Sequence, residues 1–314
     1  MTEPTLPDHL TPETRAFLAG LAGLGLPPLH TLTPVDARRM RAEAARLAGA
    51  PQSEPVASVA DATLDGPGGG LGVRFYEPEG WARGGGSIVY FHGGGWVFGD
   101  LDTHDALCRS LANASGLRVM ATEYRLAPEA PHPAALEDAW AATAWMASKE
   151  PGPLVVGGDS AGGHLATNVA ARARGTEVRI AGQLLIYPVM DLDRMDTVSY
   201  DAFGEGYWLT RASMEWFRGH YVPDEAVRHH PDVSPLRRDD LSGMPPAVVL
   251  AAACDVLVDE GRVYADRLAD AGCDVQYRVW ADVIHGFAAM PGTIPEGRAA
   301  LAWAGDALRR ALAR

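Results

Sequence analysis

The amino-acid sequence predicts an α/β fold in which a mostly parallel central sheet is covered by helices on both faces. From Ser87 onward, short runs that are apolar throughout recur along the chain, and Ala- and Leu-rich stretches separate most of them. Continuous apolar runs of this length are typical of strands buried on both sides of a sheet. Their alternation with helices favours parallel pairing, because each helix returns the chain to the same end of the sheet.

The elements follow from this pattern in chain order. The buried strands are predicted at 87–91, 118–124, 154–156, 180–187, 246–253 and 275–280. The helices that cover them are predicted at 104–115, 133–148, 160–174, 260–271 and 295–313. Ahead of this part, runs at 56–64 and 71–77 flank glycines at 68–70, which predicts turn-linked antiparallel strands at one edge of the sheet.

Two further segments are predicted to be helical and to lie outside the sheet. Residues 10–50 are polar-amphipathic and Ala-rich, and a Pro-containing break at 51–55 ends them. Residues 187–221 interrupt the alternation and hold eight of the chain's 24 aromatic residues, which are 8 Trp, 9 Tyr and 7 Phe. So many rings after a strand end predict a helical cap over a pocket; the alternative is that they only pack the insertion onto the layer beneath. We therefore divide the chain into an N-terminal cap segment, 1–50, and a catalytic domain, 51–314, with a cap insertion at about 190–222.

Composition and charge argue against several classes of function. The net charge of −13 disfavours nucleic acid and anionic membrane surfaces as partners, since both require positive charge. No apolar stretch approaches the ~20 residues of a membrane span, and the first ten residues lack the basic and apolar regions of a secretory signal. The spacing of the three cysteines matches no metal knuckle. A cytoplasmic protein without a metal or other cofactor is expected.

The sharpest motif is Gly-Asp-Ser-Ala-Gly-Gly at 158–163, here called the serine turn. It follows the apolar run 154–156 and precedes a helical stretch. The pattern G-x-S-x-G between a strand and a helix predicts a nucleophile elbow, in which a strained turn exposes the hydroxyl of Ser160. Glycines at 158 and 162 fit this reading because strand and helix converge there. Without the strand and helix, the motif would carry little weight.

A second motif is His-Gly-Gly-Gly-Trp at 92–96, here called the glycine loop, at the end of the strand 87–91. Acyl transfer passes through an oxyanion, and backbone N–H groups aimed at that oxygen lower the barrier. Glycines allow the main chain to approach a substrate closely, so this loop predicts an oxyanion hole. His92 and Gly93 are expected to support the loop.

The acid and the base of a catalytic triad should follow the serine in that order. Asp255 closes the apolar run 247–254, and the carboxyl ends of strands are where sheet-borne sites lie. His285 is the histidine that occupies a loop beyond a late strand, so we predict it to be the base. Asp259 and Glu260 are rival acids, although they begin the next helix, where carboxylates commonly cap free N–H groups.

Together the motifs resemble those of the hormone-sensitive-lipase-like esterases. Further matching stretches are Glu123–Glu129, Pro133–Asp138, Asp232–Pro235, Asp255–Gly261 and His285–Phe287, so the resemblance covers roughly residues 70–290. It implies the α/β-hydrolase fold, a cap built from the N-terminal helices and the insertion, no cofactor, and short to medium acyl chains. One departure is Val256, where the family usually has proline; we expect it to be tolerated.

The resemblance also implies roles for individual residues. It supports Ser160, Asp255 and His285 as the triad, and it assigns the oxyanion donors to the amides of Gly94, Gly95 and Ala161. We expect the substrate pocket to include residues from both motifs and the cap, namely Trp96, Asp159, Phe203, Tyr207 and Trp208.

These observations predict a serine carboxylesterase acting on a small-molecule ester. Two alternatives stay open: a deacetylase or amidase that uses the same triad, and a non-catalytic ligand receptor. The last predicted strand, 275–280, is a candidate sheet edge that could pair with a second copy to form a homodimer.

Overall fold

The computed structural model describes residues 7–48 and 53–313, and their main feature is an eight-stranded sheet. Its strands are β1 (Ser58–Gly66), β2 (Gly69–Glu77), β3 (Ser87–Phe91), β4 (Arg118–Glu123), β5 (Leu154–Asp159), β6 (Gly182–Ile186), β7 (Ala247–Cys254) and β8 (Val275–Ile284). The spatial order is β1-β2-β4-β3-β5-β6-β7-β8. From β4 to β8 all neighbours are parallel, whereas β1 and β2 form a hairpin that joins β4 antiparallel. The predicted sheet and its antiparallel edge are confirmed.

Helices cover both faces of this sheet. They are α3 (Asp105–Ser115), α4 (Ala134–Lys149), α5 (Ala161–Ala173), α8 (Val258–Asp270) and α9 (Glu296–Leu312). Successive residues of a strand point to opposite faces, so Val155 packs with α3 and α9 while Val156 packs with α4, α5 and α8. The sheet thus separates two apolar cores, and its central strands β3, β5, β6 and β7 are mostly apolar because both of their sides are buried.

Within the residues that the structure describes, four further α-helices lie outside these two layers. The first two are α1 (Pro12–Gly23) and α2 (Pro34–Ala48), and the insertion after β6 contributes α6 (Val198–Phe203) and α7 (Arg211–Tyr221). The two groups are in contact, because the indole N–H of Trp216 donates to the carbonyl oxygen of Leu32 at 3.1 Å and Phe17 packs edge-on against Trp208. The expected boundary at residues 50 and 51 lies outside the described residues.

The strand that leads to the expected base is longer than predicted. β8 continues to Ile284, four residues past the expected end at Trp280. The apolar run stops at Asp282, which has a φ of 61°, and the register with β7 shifts between Ala252 and Cys254. An irregularity of this kind breaks the sequence pattern but keeps the strand paired, so β8 delivers His285 directly.

No helix in the described part of the chain is both long and apolar enough to cross a membrane.

Candidate active site

Ser160 lies at the sharp turn between β5 and α5. Its φ of 55° and ψ of −117° are strained for a residue with a side chain. The turn is fixed by its main chain, since the Ser160 amide donates to the carbonyl oxygen of Ile186 at 2.8 Å and the Ser160 carbonyl accepts from the Val189 amide at 3.2 Å. Glycine is required beside it, because a Cβ on Gly162 would overlap the carbonyl oxygen of Phe91.

A hydrogen-bonded chain connects Ser160 to a histidine and a carboxylate from two other strand ends. His285 Nε2 lies 3.0 Å from Ser160 Oγ, and His285 Nδ1 lies 2.6 Å from Asp255 Oδ2. The second oxygen of Asp255 accepts from the Leu257 amide at 3.0 Å. Asp255 is 1% exposed, while Ser160 and His285 keep 7% each. The Asp255 carboxylate is therefore shielded from solvent, whereas Ser160 and His285 keep limited solvent access.

The rival acids take other partners. Asp259 accepts from the Ser199 amide at 2.9 Å, and Glu260 accepts from the Asp191 amide at 3.1 Å. Burial raises the pKa of Glu260 well above its usual value. Both carboxylates thus tether the insertion to α8, and Asp255 is the acid that contacts His285.

The glycine loop lies against the serine turn and is anchored by Asp159. The Gly93 amide donates to Asp159 Oδ1 at 2.8 Å, and the hydroxyl of Tyr90 donates to the same oxygen at 2.8 Å. His104 Nε2 lies 3.3 Å from that carboxylate. Burial alone would raise the pKa of Asp159, but His104 and the Tyr90 hydroxyl outweigh it and hold the pKa below its usual value. Asp159 is thus an interior anchor with 4% exposure, not a wall of an open pocket.

His92 is buried on the other side of the loop. Its ring stacks on Tyr124 with centroids 4.2 Å apart, and the Tyr124 hydroxyl donates to the His92 carbonyl oxygen at 2.7 Å. Burial, and then the nearby charge of His104, lower the pKa of His92 to about 4. The ring is therefore neutral near pH 7, and its position agrees with a supporting role.

An arginine from α2 clamps the segment that follows the glycine loop. Arg38 Nε donates to the Val97 carbonyl at 2.8 Å, and Nη2 donates to the Ala127 carbonyl at 2.7 Å. Both terminal nitrogens also contact the carboxylate of Glu129 at 2.7 Å, and this pair lowers the pKa of Glu129 to about 2. The N-terminal helices therefore hold the main chain beside the candidate oxyanion loop.

The side chain of Trp96 lies in the interior of the protein. It is fully buried and stacks on Tyr221 with centroids 4.2 Å apart and an interplanar angle of 1°. Its other neighbour, His164, meets it edge-on at 5.1 Å. The ring that covers the glycine loop is Phe217 of α7, since a Cβ on Gly95 would overlap it.

The three expected pocket residues of the insertion are half-buried. Trp208 lies beside the catalytic histidine loop, because its indole nitrogen would be 3.4 Å from a Cβ on Gly286. Phe203 and Tyr207 contact each other edge-on with centroids 5.2 Å apart. The insertion thus places one aromatic ring, that of Trp208, beside the loop that carries His285.

Comparison with known proteins agrees with this geometry. A family model described as an alpha/beta hydrolase fold matches residues 88–289, which include the glycine loop, the serine turn, Asp255 and His285. The chain belongs to the hormone-sensitive-lipase-like esterase family. The α/β-hydrolase fold expected from the motifs is therefore confirmed.

Two relatives of this family member are named as ester hydrolases. The carboxylic ester hydrolase LipN of Mycobacterium tuberculosis is 43% identical over 245 residues, which cover 73% of this chain and 64% of that protein. The ethyl acetate hydrolase of Pseudomonas putida is 36% identical and is aligned over 96% of this chain and 99% of its own.

Solved structures of the family superpose closely. An α/β-hydrolase enzyme from the metagenome of Lake Arreo, Spain, gives a TM-score of 0.92 at 37% identity, covering 98% of this chain and all of that one. A thermostable esterase from Pseudomonas putida gives 0.91 at 34% identity, covering 98% of each chain.

Several residues support this esterase-family site in ways that the sequence motifs do not reveal. His104 and Tyr124 support the glycine loop, and Tyr187 packs on the His285 ring with centroids 4.6 Å apart. Arg38 is 59 residues from the carbonyl it holds. A single residue in a helix or strand does not reveal such partners, because they are set by tertiary packing.

Proposed function

We propose that the chain is a serine carboxylesterase that hydrolyses short- to medium-chain carboxylic esters. The observation that carries this proposal is the hydrogen-bonded chain from Ser160 through His285 to Asp255, with distances of 3.0 and 2.6 Å. The names of the relatives favour ester cleavage over the deacetylase and receptor alternatives.

In the proposed reaction, His285 Nε2 takes the proton of Ser160 as Oγ attacks the ester carbonyl. Asp255 accepts from Nδ1, which fixes the tautomer and stabilises the imidazolium. The tetrahedral intermediate collapses when His285 returns the proton to the departing alcohol. Water, activated by the same imidazole, then hydrolyses the acyl-enzyme and regenerates Ser160.

The oxyanion is proposed to be held by the amides of Gly94, Gly95 and Ala161. Ala161 is the first residue of α5, where helical N–H groups have no intrahelical acceptor. Gly94 and Gly95 have φ angles of 119° and 61°, so the main chain turns there in a way that glycine favours. In residues 7–48 and 53–313, none of these three amides donates to a protein acceptor.

The substrate pocket is proposed to lie beneath a cap made of α1, α2 and the insertion about 190–222. Contacts between Trp216 and Leu32 and between Phe17 and Trp208 support treating these segments as one cap. Phe203, Tyr207 and Trp208 would form its aromatic wall. A short acyl chain agrees with the name of the ethyl acetate hydrolase, which is similar over almost the whole chain.

A p-nitrophenyl ester series from acetate upward tests the activity, with Ser160→Ala beside the wild type. Removal of the nucleophile should lower kcat by at least about 10⁴-fold, because the remaining donors bind but do not form the acyl-enzyme. Ser148→Ala, at an exposed serine near the end of α4, is the control and should keep full activity. Equal, slow release by the wild type and Ser160→Ala would refute the proposal.

Two further proposals concern assembly and location. β8 lies at one end of the sheet, so its outer edge is available to pair with a second copy in a homodimer; sedimentation that shows only monomer would exclude this.

A cytoplasmic location is supported by Cys108, Cys254 and Cys273, which are all free thiols. Cell fractionation with an antibody to the protein tests it.

A further inference from the structure

Arg41 of α2 lies between two aromatic rings of the cap region. Its guanidinium carbon is 4.9 Å from the centroid of Phe98 and 5.5 Å from that of Trp208. Residues three apart share a face of a helix, so Arg41 follows Arg38 on the side of α2 that faces the glycine loop. The helix thus presents two arginines to this region, and Arg38 is the one committed to main-chain contacts.

The two rings connect Arg41 to both halves of the catalytic centre. The carbonyl oxygen of Phe98 packs directly against Gly94, the proposed oxyanion donor. Trp208 packs beside Gly286, which follows His285. Arg41 therefore bridges a residue packed on the glycine loop and one packed on the histidine loop.

The charge of Arg41 is uncompensated in the described part of the chain. Its neighbours have partners: Arg38 pairs with Glu129 at 2.7 Å and Arg39 with Asp36 at 3.4 Å. Within residues 7–48 and 53–313, no carboxylate forms an ion pair with Arg41. Loss of hydration among the surrounding atoms lowers the pKa of Arg41, yet a guanidinium stays charged. Its side chain is nevertheless exposed enough to be reached from solvent.

We propose that Arg41 binds a carboxylate of the substrate, so that the enzyme favours esters carrying an anionic group remote from the scissile bond. This inference rests on the proposed esterase function and adds the chemical class of the substrate. A planar guanidinium offers two parallel N–H donors that match a carboxylate, and flanking aromatic faces hold its plane in place.

A contact between Arg41 and a substrate carboxylate should affect substrate binding and not the chemical step. A carboxylate far from the reacting carbonyl contacts Arg41 equally in the ground state and the transition state. Losing that contact raises KM and leaves kcat nearly unchanged. A merely structural role would instead affect neutral and anionic esters alike.

Two pairs of esters that differ only in a terminal methyl or carboxylate group test this. On the acyl side they are p-nitrophenyl hexanoate and the p-nitrophenyl monoester of adipic acid. On the alcohol side they are n-pentyl acetate and the acetate of a terminal hydroxypentanoic acid, with hydrolysis followed by acid release. All rates are corrected for spontaneous hydrolysis. Arg41→Gln should lower kcat/KM for the carboxylate ester of at least one pair about tenfold through KM, and change its neutral partner less than about twofold.

Arg39→Gln is the matched control, because it removes the same charge from the same helix at a side chain that is 75% exposed and paired with Asp36. It should leave the ratio within each pair unchanged, and Arg41→Lys should restore part of the preference. If Arg41→Gln shifts both members of each pair by the same factor, the inference is wrong while the esterase function stands. If the wild type hydrolyses none of the four esters, the proposed function itself fails.

Discussion

The serine turn and the glycine loop meet at one edge of the sheet, but they are stabilised in different ways. The serine turn is held by main-chain hydrogen bonds to the ends of neighbouring segments and by the close approach of Gly162 to β3. The glycine loop is held by side chains from distant elements, including Asp159, Tyr124 and Arg38. The geometry of the serine turn is therefore set by main-chain contacts, whereas the geometry of the glycine loop depends on side chains from distant elements.

This difference teaches what each region tolerates. In the serine turn an added methyl group meets backbone that cannot move without moving β3 or α5. In the glycine loop, the loss of one anchor leaves the others in place, so the loop should loosen by degrees. Substitutions should therefore act abruptly on the first region and gradually on the second.

The largest effect is expected for Gly162→Ala. Its Cβ would overlap the Phe91 carbonyl oxygen, so strand and helix must separate. The free energy of unfolding should fall by about 3 kcal/mol or more, and activity should fall at least about hundredfold. Urea unfolding and p-nitrophenyl butyrate hydrolysis measure the two. Gly219→Ala in α7, where an added Cβ would meet no atom of another segment within 4 Å, should change stability by less than about 1 kcal/mol. Similar results for both variants would contradict the comparison.

Asp159→Ala should lower kcat about hundredfold, an effect comparable to losing one oxyanion donor. The reason is that the Gly93 amide and the Tyr90 hydroxyl both lose their acceptor. Asp159→Asn keeps an acceptor oxygen and should lose less. Asp65→Ala, at an exposed carboxylate of β1, serves as the control. A fall confined to KM would mean that Asp159 contacts substrate and does not position the loop.

The glycine loop contains a buried histidine with a lowered pKa, His92, and α5 beside the serine turn contains another, His164, so acid should destabilise the fold around both. Burial, followed by a neighbouring histidine, lowers the pKa of His92 to about 4 and of His164 to about 3. Below their usual pKa of 6.5 the unfolded chain binds protons that the folded chain does not. Stability therefore falls as pH drops below about 6.5, by about 1.4 kcal/mol per pH unit for each imidazole.

Urea unfolding at pH 7 and pH 5 checks this slope. His164→Gln should flatten it, because the unfolded chain then has one fewer imidazole that is protonated only on unfolding. His229→Gln, at an exposed histidine, should leave it unchanged. A slope that persists in full in His164→Gln would rule out this explanation.

The smallest effect is expected for Arg38→Gln. The Arg38 and Glu129 side chains are 29% and 59% exposed, so solvent screens the ion pair and its loss should cost about 1 kcal/mol. The loop beside Val97 loses an anchor, and kcat should fall a few fold. Arg39→Gln is again the control. If removal of Arg38 abolished activity, the glycine loop would depend on a single partner, contrary to the gradual behaviour expected here.

The same contrast explains what could be predicted from the sequence. The parallel sheet near the site follows from apolar strands alternating with helices, and the serine turn follows from G-x-S-x-G in that setting. Both signals are local. The glycine loop is visible as a motif, yet its anchors at Arg38 and His104 are not, because their partners are defined only by the folded chain.

Two residues that were expected in the substrate pocket show that sequence motifs do not predict the direction of a side chain. Trp96 and Asp159 adjoin the catalytic motifs, and adjacency in sequence suggested contact with substrate. In the structure their side chains turn inward, to Tyr221 and to the Gly93 amide. Side-chain direction depends on backbone torsions such as the φ of 61° at Trp96, which no pattern of residue types specifies. The predicted end of β8 was also wrong, because Asp282 interrupts the apolar pattern while the strand continues through a shift in register.

The stacked pair of Trp96 and Tyr221 gives the glycine loop an optical signature. Two rings stacked 4.2 Å apart in almost parallel planes are in a rigid, asymmetric environment of the kind that produces near-ultraviolet circular dichroism. The signal from this pair should fade when the loop loosens, even while the far-ultraviolet signal of the helices persists. The loop that is proposed to bind the oxyanion thus contains its own chromophore. The ordering of this loop can be followed by near-ultraviolet circular dichroism in the absence of a substrate.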